Sequence, residues 1–294
     1  MERTFWKKMK TFSVIGAGRV GTALALALCR KGLELKYLAD RSPARARKAR
    51  KLIGQGRATG DNRLAARSAG LVFICVPDDL IPEVVKEISE VELSGKYIFH
   101  TSGALSSDLL QPLARKGARV ASFHPAQTFA EEVSEPGIFK GIYIGLEGQP
   151  EAVELGKMLA ARLGAQALLL SAAEKPLYHL ALSISSNFLV TLLSEVKELL
   201  KTAGLEESAV LEILTPLLNK TLQNVKNLGI DSSLTGPVVR GDLKTVEKHL
   251  AITAGSPGLD KVYRAMALEA LRLAEKRGLS RGKIKALKRL LEQK

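Results

Sequence analysis

A short β-type run, Thr11–Ile15, leads directly into Gly16-Ala17-Gly18-Arg19-Val20-Gly21, and an Ala/Leu-rich run of helical character follows. Three glycines at this spacing, between a strand and a helix, form the dinucleotide fingerprint in the context it needs. The first permits a tight turn, the second lets backbone approach a pyrophosphate, and the third lets helix and strand pack closely. The helix start then offers unpaired N–H groups and the positive end of its dipole to phosphate. Gly16, Gly18, Arg19, Val20 and Gly21 are therefore candidate cofactor-binding residues. A βα unit of this kind is stable only among parallel neighbours and covering helices, so the segment restricts its half of the chain to an open α/β sheet.

The rest of the first half agrees. Strand-like runs at Leu35–Ala39, Leu71–Val76, Tyr97–His100, Val120–Phe123, Gly141–Gly145 and Ala167–Leu170 alternate with helix-compatible segments at Val20–Lys31, Pro43–Ile53, Leu80–Ile88, Ser107–Lys116 and Glu151–Leu163. After Ser171 the strand signal stops. From Leu177 the apolar residues fall at three- and four-residue spacing, with further helical patterns over Ser208–Leu218, Leu243–Leu250 and Leu259–Lys276. The expected architecture is α/β: a Rossmann-type, mostly parallel sheet over residues 1–171, then an all-helical domain over 172–294. No run of about 18 apolar residues stands out, so no membrane-spanning segment is expected. The basic start faintly mimics a secretory signal, but Arg19 and the turn glycines interrupt its apolar part. Cys29 and Cys75 lie in apolar runs, which excludes a disulfide framework and fits a cytoplasmic protein.

The chain carries 44 Lys+Arg against 30 Asp+Glu, a net +14. Residues 1–70 hold 17 basic and 4 acidic side chains, so the excess is concentrated at one end. No recognised nucleic-acid motif or aromatic series accompanies it, and nucleic acid is not an expected partner. Part of the cluster falls where cofactor choice is made, about 20 residues beyond the glycines. Asp40 stands there and by itself favours NAD, accepting from the ribose 2′-hydroxyl. Arg41, Ser42 and Arg45 follow it and could chelate a 2′-phosphate, favouring NADP. Arg47, Lys48, Arg50 and Lys51 read as a solvated helix face.

Several motifs together resemble a known family. Cys75-Val76-Pro77-Asp78, Ser122-Phe123-His124-Pro125-Ala126-Gln127-Thr128-Phe129, Tyr178-His179 with Ser186-Asn187, and Leu234–Asp242 are similar to those of a family assigned as NADP-dependent oxidoreductases, which pairs a Rossmann-like domain with a helical domain of unknown function. More distantly, the layout resembles ketopantoate reductase, pyrroline-5-carboxylate reductase and the 6-phosphogluconate and 3-hydroxyacid dehydrogenases. The resemblance implies a helical half like the C-terminal domain of 6-phosphogluconate dehydrogenase, hydride transfer from NADP or NAD to a small substrate, and pairing into a homodimer.

Lys175, His179, Ser183 and Asn187 recur every four residues and would form a polar stripe on one helix. In the ketopantoate and hydroxyacid relatives a Lys and an Asn of such a helix polarise the carbonyl, and Lys175 and Asn187 resemble them in order. Pro176, however, disfavours a helical Lys175 and places it on a hinge. His100 and His124 end strands, where ligands of open α/β sheets bind, and join the catalytic candidates. Val76, Pro77 and Ser102 are expected at the cofactor, and Gln127, Thr128, Ser183 and Arg240 at the substrate. The four histidines carry no metal-ligand spacing, so no metal is expected. The reading is a reductase of a small carboxylate-bearing oxo or imino compound, a 2-oxo acid of the ketopantoate type being the first choice. The alternatives are a protein that senses the nucleotide without turning it over and, behind it, a basic nucleic-acid-binding protein.

Overall fold

The computed structural model describes residues 10–130 and 137–293, so the basic start of the chain lies outside it. Eight strands form one sheet: β1 (Thr11–Ile15), β2 (Glu34–Ala39), β3 (Arg57–Thr59), β4 (Leu71–Ile74), β5 (Tyr97–His100), β6 (Arg119–Pro125), β7 (Tyr143–Gly148) and β8 (Gln166–Leu169). Their order is β3-β2-β1-β4-β5-β6-β7-β8, and every pairing is parallel except β6 with β7. The expected mostly parallel sheet is present. Its register aligns Ile15 with Ile74, Ile74 with His100, and His100 with Ser122. The residues that follow these four therefore emerge side by side.

Alternation along the strands divides the core in two. Phe73, Phe99 and Phe123 lie on one face, at centroid separations of 5.5–5.8 Å, beneath α1 (Arg19–Arg30) and α6 (Pro150–Leu163). Val72, Ile74, Ile98 and Val120 lie on the other, with α3 (Asn62–Arg67), α4 (Ile81–Ile88) and α5 (Gln111–Ala114). Each fully buried phenylalanine contributes about 1.5–3 kcal/mol. Helix α2 (Pro43–Ile53) has the bounds expected from sequence because its ends are specified locally. Ser42 accepts from the Arg45 N–H, Pro43 takes the first helical position, and Gly54 closes the helix at φ 77°. Sequence reading missed β3 and α3, which are three and six residues long and too short to show a period.

A continuous helix starts at Glu174 as α7 (Glu174–Ser183), passes through a π-turn (Ile184–Phe188) and continues as α8 (Leu189–Thr202). By length and composition it could cross a bilayer, with mean hydropathy 1.3, which corrects the expectation that no such segment exists. The remaining helices are α9 (Glu207–Leu228), α10 (Ile230–Ser233), α11 (Pro237–Arg240), α12 (Leu243–Thr253), α13 (Pro257–Lys276) and α14 (Arg281–Glu292). Val238, Val246, Leu250, Leu271, Leu287 and Leu291 form a core among them. The two compact units of the chain divide between Leu189 and Val190. Secondary structure changes character near residue 171 as expected, but α7 belongs with the sheet.

Candidate active site

The fingerprint turn is set by its own packing. Gly16 has φ +105°, and a Cβ there would lie 2.4 Å from the Cys75 carbonyl oxygen. At Gly21 a Cβ would strike the carbonyl of Gly16. Gly18 differs: its φ is −75° and nothing lies within 4 Å of where its Cβ would be. Nothing inside the described chain requires glycine at that point, whereas a pyrophosphate crossing the turn would. Gly18 also caps α1 without any side-chain hydrogen bond, and the first turn of α1 holds no acidic residue. The helix end is thus open to an anion.

A cleft of ≈ 280 Å³ opens at this edge of the sheet. Gly16, Gly18, Asp40, Arg41, Arg45, Val76 and Pro77 line it, which unites most of the expected cofactor residues. Val20 lines neither this cleft nor the cavity beside it. Asp40 is buried, and its carboxylate is already engaged. Oδ2 accepts from the Ala17 N–H at 2.9 Å, Oδ1 from the Ser42 N–H at 2.8 Å, and Arg45 Nη1 lies 3.6 Å from Oδ2. Asp40 therefore staples the glycine turn to the end of β2. Arg41 and Arg45 beside it remain exposed.

Lys175, His124 and His179, three of the expected catalytic residues, meet at the ends of β5 and β6. Lys175 is fully buried in the first turn of α7, which corrects the placement on a hinge. Pro176 is tolerated because the first N–H groups of a helix have no intrahelical acceptor to lose. Lys175 Nζ donates to the Ser102 carbonyl at 3.0 Å and to Ser122 Oγ. Burial lowers its pKa to about 8, opposed by the charges of Glu147 and Asp78. Nearby, His124 Nδ1 lies 3.3 Å from the Tyr178 hydroxyl, and the His124 and His179 rings stand 6.0 Å apart. Gly103 backbone runs between them. A Cβ on it would lie 2.6 Å from His179 Cδ2 and 2.7 Å from His124 Nε2, so only glycine allows this approach. Burial first, then the Lys175 and His179 charges, push His124 down to about 4. Burial raises Tyr178 to about 12. At neutral pH the cluster is a buried cation near an uncharged imidazole and a phenol, an arrangement that can polarise a carbonyl or imine and stabilise charge developing on it.

Other expected residues are placed differently. His100 is fully buried: its Nδ1 accepts from the Ser102 N–H, and its Nε2 meets the Ser106 carbonyl, each at 3.2 Å. Both ring nitrogens hold the loop after β5, and burial lowers its pKa to about 3. Ser102 is a hub of the same loop, donating to Asp78 at 2.7 Å and accepting from the Leu105 N–H. Gln127 donates to the Ile138 carbonyl and accepts from both the N–H and the hydroxyl of Thr128. Ser183 ends α7, while the π-turn breaks the four-residue stripe and leaves Asn187 exposed on a different azimuth. Arg240, exposed at the end of α11, belongs to the second unit. Asp242 caps α12 through Thr245.

Sequence reading missed Tyr178, Asp78 and Glu147 as members of this cluster. Glu147 is buried and accepts both the N–H and the hydroxyl of Ser107 at 2.7 Å. Tyr178 and Asp78 carried a signal, lying in the Tyr178-His179 and Cys75–Asp78 motifs; a lone Glu in a strand carries none. No group of three or more potential metal ligands occurs among the described residues.

Comparison with known proteins is consistent with this construction. Residues 6–125 match the model of a Rossmann-like domain, and residues 142–270 that of a domain of unknown function, DUF2520. The chain thus pairs the two domains that its motifs resembled. No curated protein matches it. Among solved structures, a protein of Bacteroides fragilis assigned as an NADP oxidoreductase shares 24% identity at TM-score 0.78, with 89% of this chain and 98% of that one covered. A Thermotoga maritima protein shares 28% identity at TM-score 0.69, over 90% of this chain and 99% of that one. A reductive aminase of Aspergillus terreus, in complex with NADPH, shares 18% identity at TM-score 0.62, over 96% and 92%.

Proposed function

We propose that this chain, a Rossmann-like domain joined to a DUF2520 domain, is an NADP(H)-dependent reductase of a small oxo or imino compound. The observation that carries the reading is the glycine turn at the uncapped start of α1, where Gly18 leaves open space at the mouth of a cleft that leads to the ends of β1 and β4. NADPH, once bound, supplies the hydride. The glycine turn and the start of α1 hold the pyrophosphate. The cationic segment beginning at Arg41 selects NADP because Asp40 is spent on the turn. His124 and Tyr178 orient the substrate oxygen or nitrogen, and the Lys175 charge near them stabilises the polarised state. The reductive aminase likeness makes imines as reasonable a substrate as 2-oxo acids of the ketopantoate type.

A cytoplasmic homodimer completes the proposal. Leu177, Leu180, Ile184 and Phe188 are each half or more exposed, an apolar row that a second copy would cover.

The test is a screen of 2-oxo acids and cyclic imines with NADPH and NADH, following absorbance of the reduced cofactor. Oxidation with at least one class, faster with NADPH, is expected. Tight cofactor binding with no turnover of either class would favour the sensing alternative, and failure to bind either cofactor would overturn both.

A further inference from the structure

A carboxylate buried in a sheet is unfavourable unless donors or a charge of opposite sign answer it, and Glu147 is such a carboxylate. It stands on β7 directly opposite Ser122 of β6, and Ser122 stands beside His100 of β5. Residues paired in this way point to the same face, so His100, Ser122 and Glu147 form a row across three strands, each about 4.8 Å from the next. Lys175 Nζ donates to the middle member, Ser122 Oγ. Two residues further along the same pair of strands, His124 faces Gly145, and a Cβ on Gly145 would lie 3.3 Å from the Tyr178 ring. Neighbouring rungs of one ladder thus receive Lys175 and Tyr178 from the same helix, α7.

The loop after β5 closes over the row. The Ser106 carbonyl meets His100, Ser107 gives its N–H and hydroxyl to the two oxygens of Glu147, and the Ser102 carbonyl accepts from Lys175. Glu147 therefore fixes one end of the loop whose other end holds the ammonium. His100 and His124 face Lys175 from β5 and β6, both uncharged at neutral pH because burial first pushes them to about 3 and about 4. Asp78 faces it from beyond β4, with Oδ2 taken up by the Ser102 hydroxyl, and Tyr178 and His179 follow on its own helix. Of the two carboxylates, Glu147 acts more strongly on the ammonium.

We propose that Glu147 is a positioning residue of the site: it is the counter-ion that keeps the buried Lys175 ammonium charged and, through Ser107, sets the loop carbonyl to which that ammonium donates. The inference rests on the reductase reading above and adds to it a residue that acts through Lys175.

The experiment follows the Lys175 Cε resonance of the full chain by NMR as pH is raised, the signal being identified by its absence in Lys175→Met. The wild-type midpoint should lie at about 8. Glu147→Gln keeps the shape, removes the charge, and should lower that midpoint by about 1–3 pH units, the effect of one nearby opposite charge. The alkaline fall of kcat/KM, where Lys175 loses its proton, should move down with it. Glu147→Asp withdraws the charge by one bond and should lie between the two. Ser107→Ala loosens the loop without altering charge and should leave the midpoint near that of wild type. No movement in Glu147→Gln, or equal movement in Ser107→Ala, would make Glu147 a loop anchor and overturn the inference; if Glu147→Gln does not fold, Glu147→Asp takes its place in the comparison. The titration needs no turnover, so a wild type inactive on every substrate would overturn the reductase reading while the resonance still decides for or against Glu147.

Discussion

Lys175 offers a test in which stability and function should move in opposite directions. The ammonium is fully buried, and its pKa lies at about 8 against an ordinary 10.5, the fall caused first by burial and eased by Glu147 and Asp78. At about 1.36 kcal/mol for each pH unit between those values, holding Lys175 charged costs the fold ~3 kcal/mol. That cost is present in full below pH 8, shrinks as pH rises, and vanishes above 10.5, where the group is neutral folded or unfolded. Lys175→Met removes the cost and keeps the volume. It also removes the hydrogen bonds an amine makes to Ser102 O and Ser122 Oγ, worth about 1 kcal/mol each when uncharged. The balance at pH 7 is a stabilisation of roughly 1 kcal/mol, within the range for apolar replacement of buried ions. Urea unfolding of both proteins should show the variant more stable at pH 7 and the wild type more stable near pH 10. Turnover should meanwhile fall by about a hundredfold or more. A variant destabilised by more than ~2 kcal/mol at pH 7, with no pH dependence of the difference, would refute the reasoning and make Lys175 a strut.

Two further expectations use other parts of the molecule. Gly16→Ala forces a Cβ against the Cys75 carbonyl at positive φ and should cost about 1–3 kcal/mol in thermal unfolding, whereas Gly18→Ala should unfold like wild type yet bind NADPH and NADH more weakly. Normal cofactor binding by Gly18→Ala would remove the observation on which the function rests. If the exposed row on α7 and the π-turn pairs two copies, light scattering should return twice the chain mass for wild type and a shift toward the monomer for Phe188→Asp. A monomeric wild type at working concentration contradicts the homodimer.

What could be read from sequence was whatever local chemistry specifies. The strand–GxGxxG–helix unit, the Ser42-Pro43 start and Gly54 stop of α2, and the continuous apolar run of β4 each carry their reasons within a few residues. So does the Asp40–Arg45 segment, adjacent in sequence because one turn holds it. Tertiary structure decided the rest, because the deciding partners are far apart in the chain. The sequence made Asp40 an NAD signal, but the Ala17 N–H, 23 residues away, occupies its carboxylate. It made Lys175 a hinge residue, but Ser102 and Ser122, brought together by the β5–β6 register, draw it into the interior. It spaced Asn187 for a stripe that a π-turn then broke. Periodicity reports which face of an element is apolar. It carries no record of which distant backbone donor, carbonyl or charge that element will meet, and those meetings set charge, access and chemistry here.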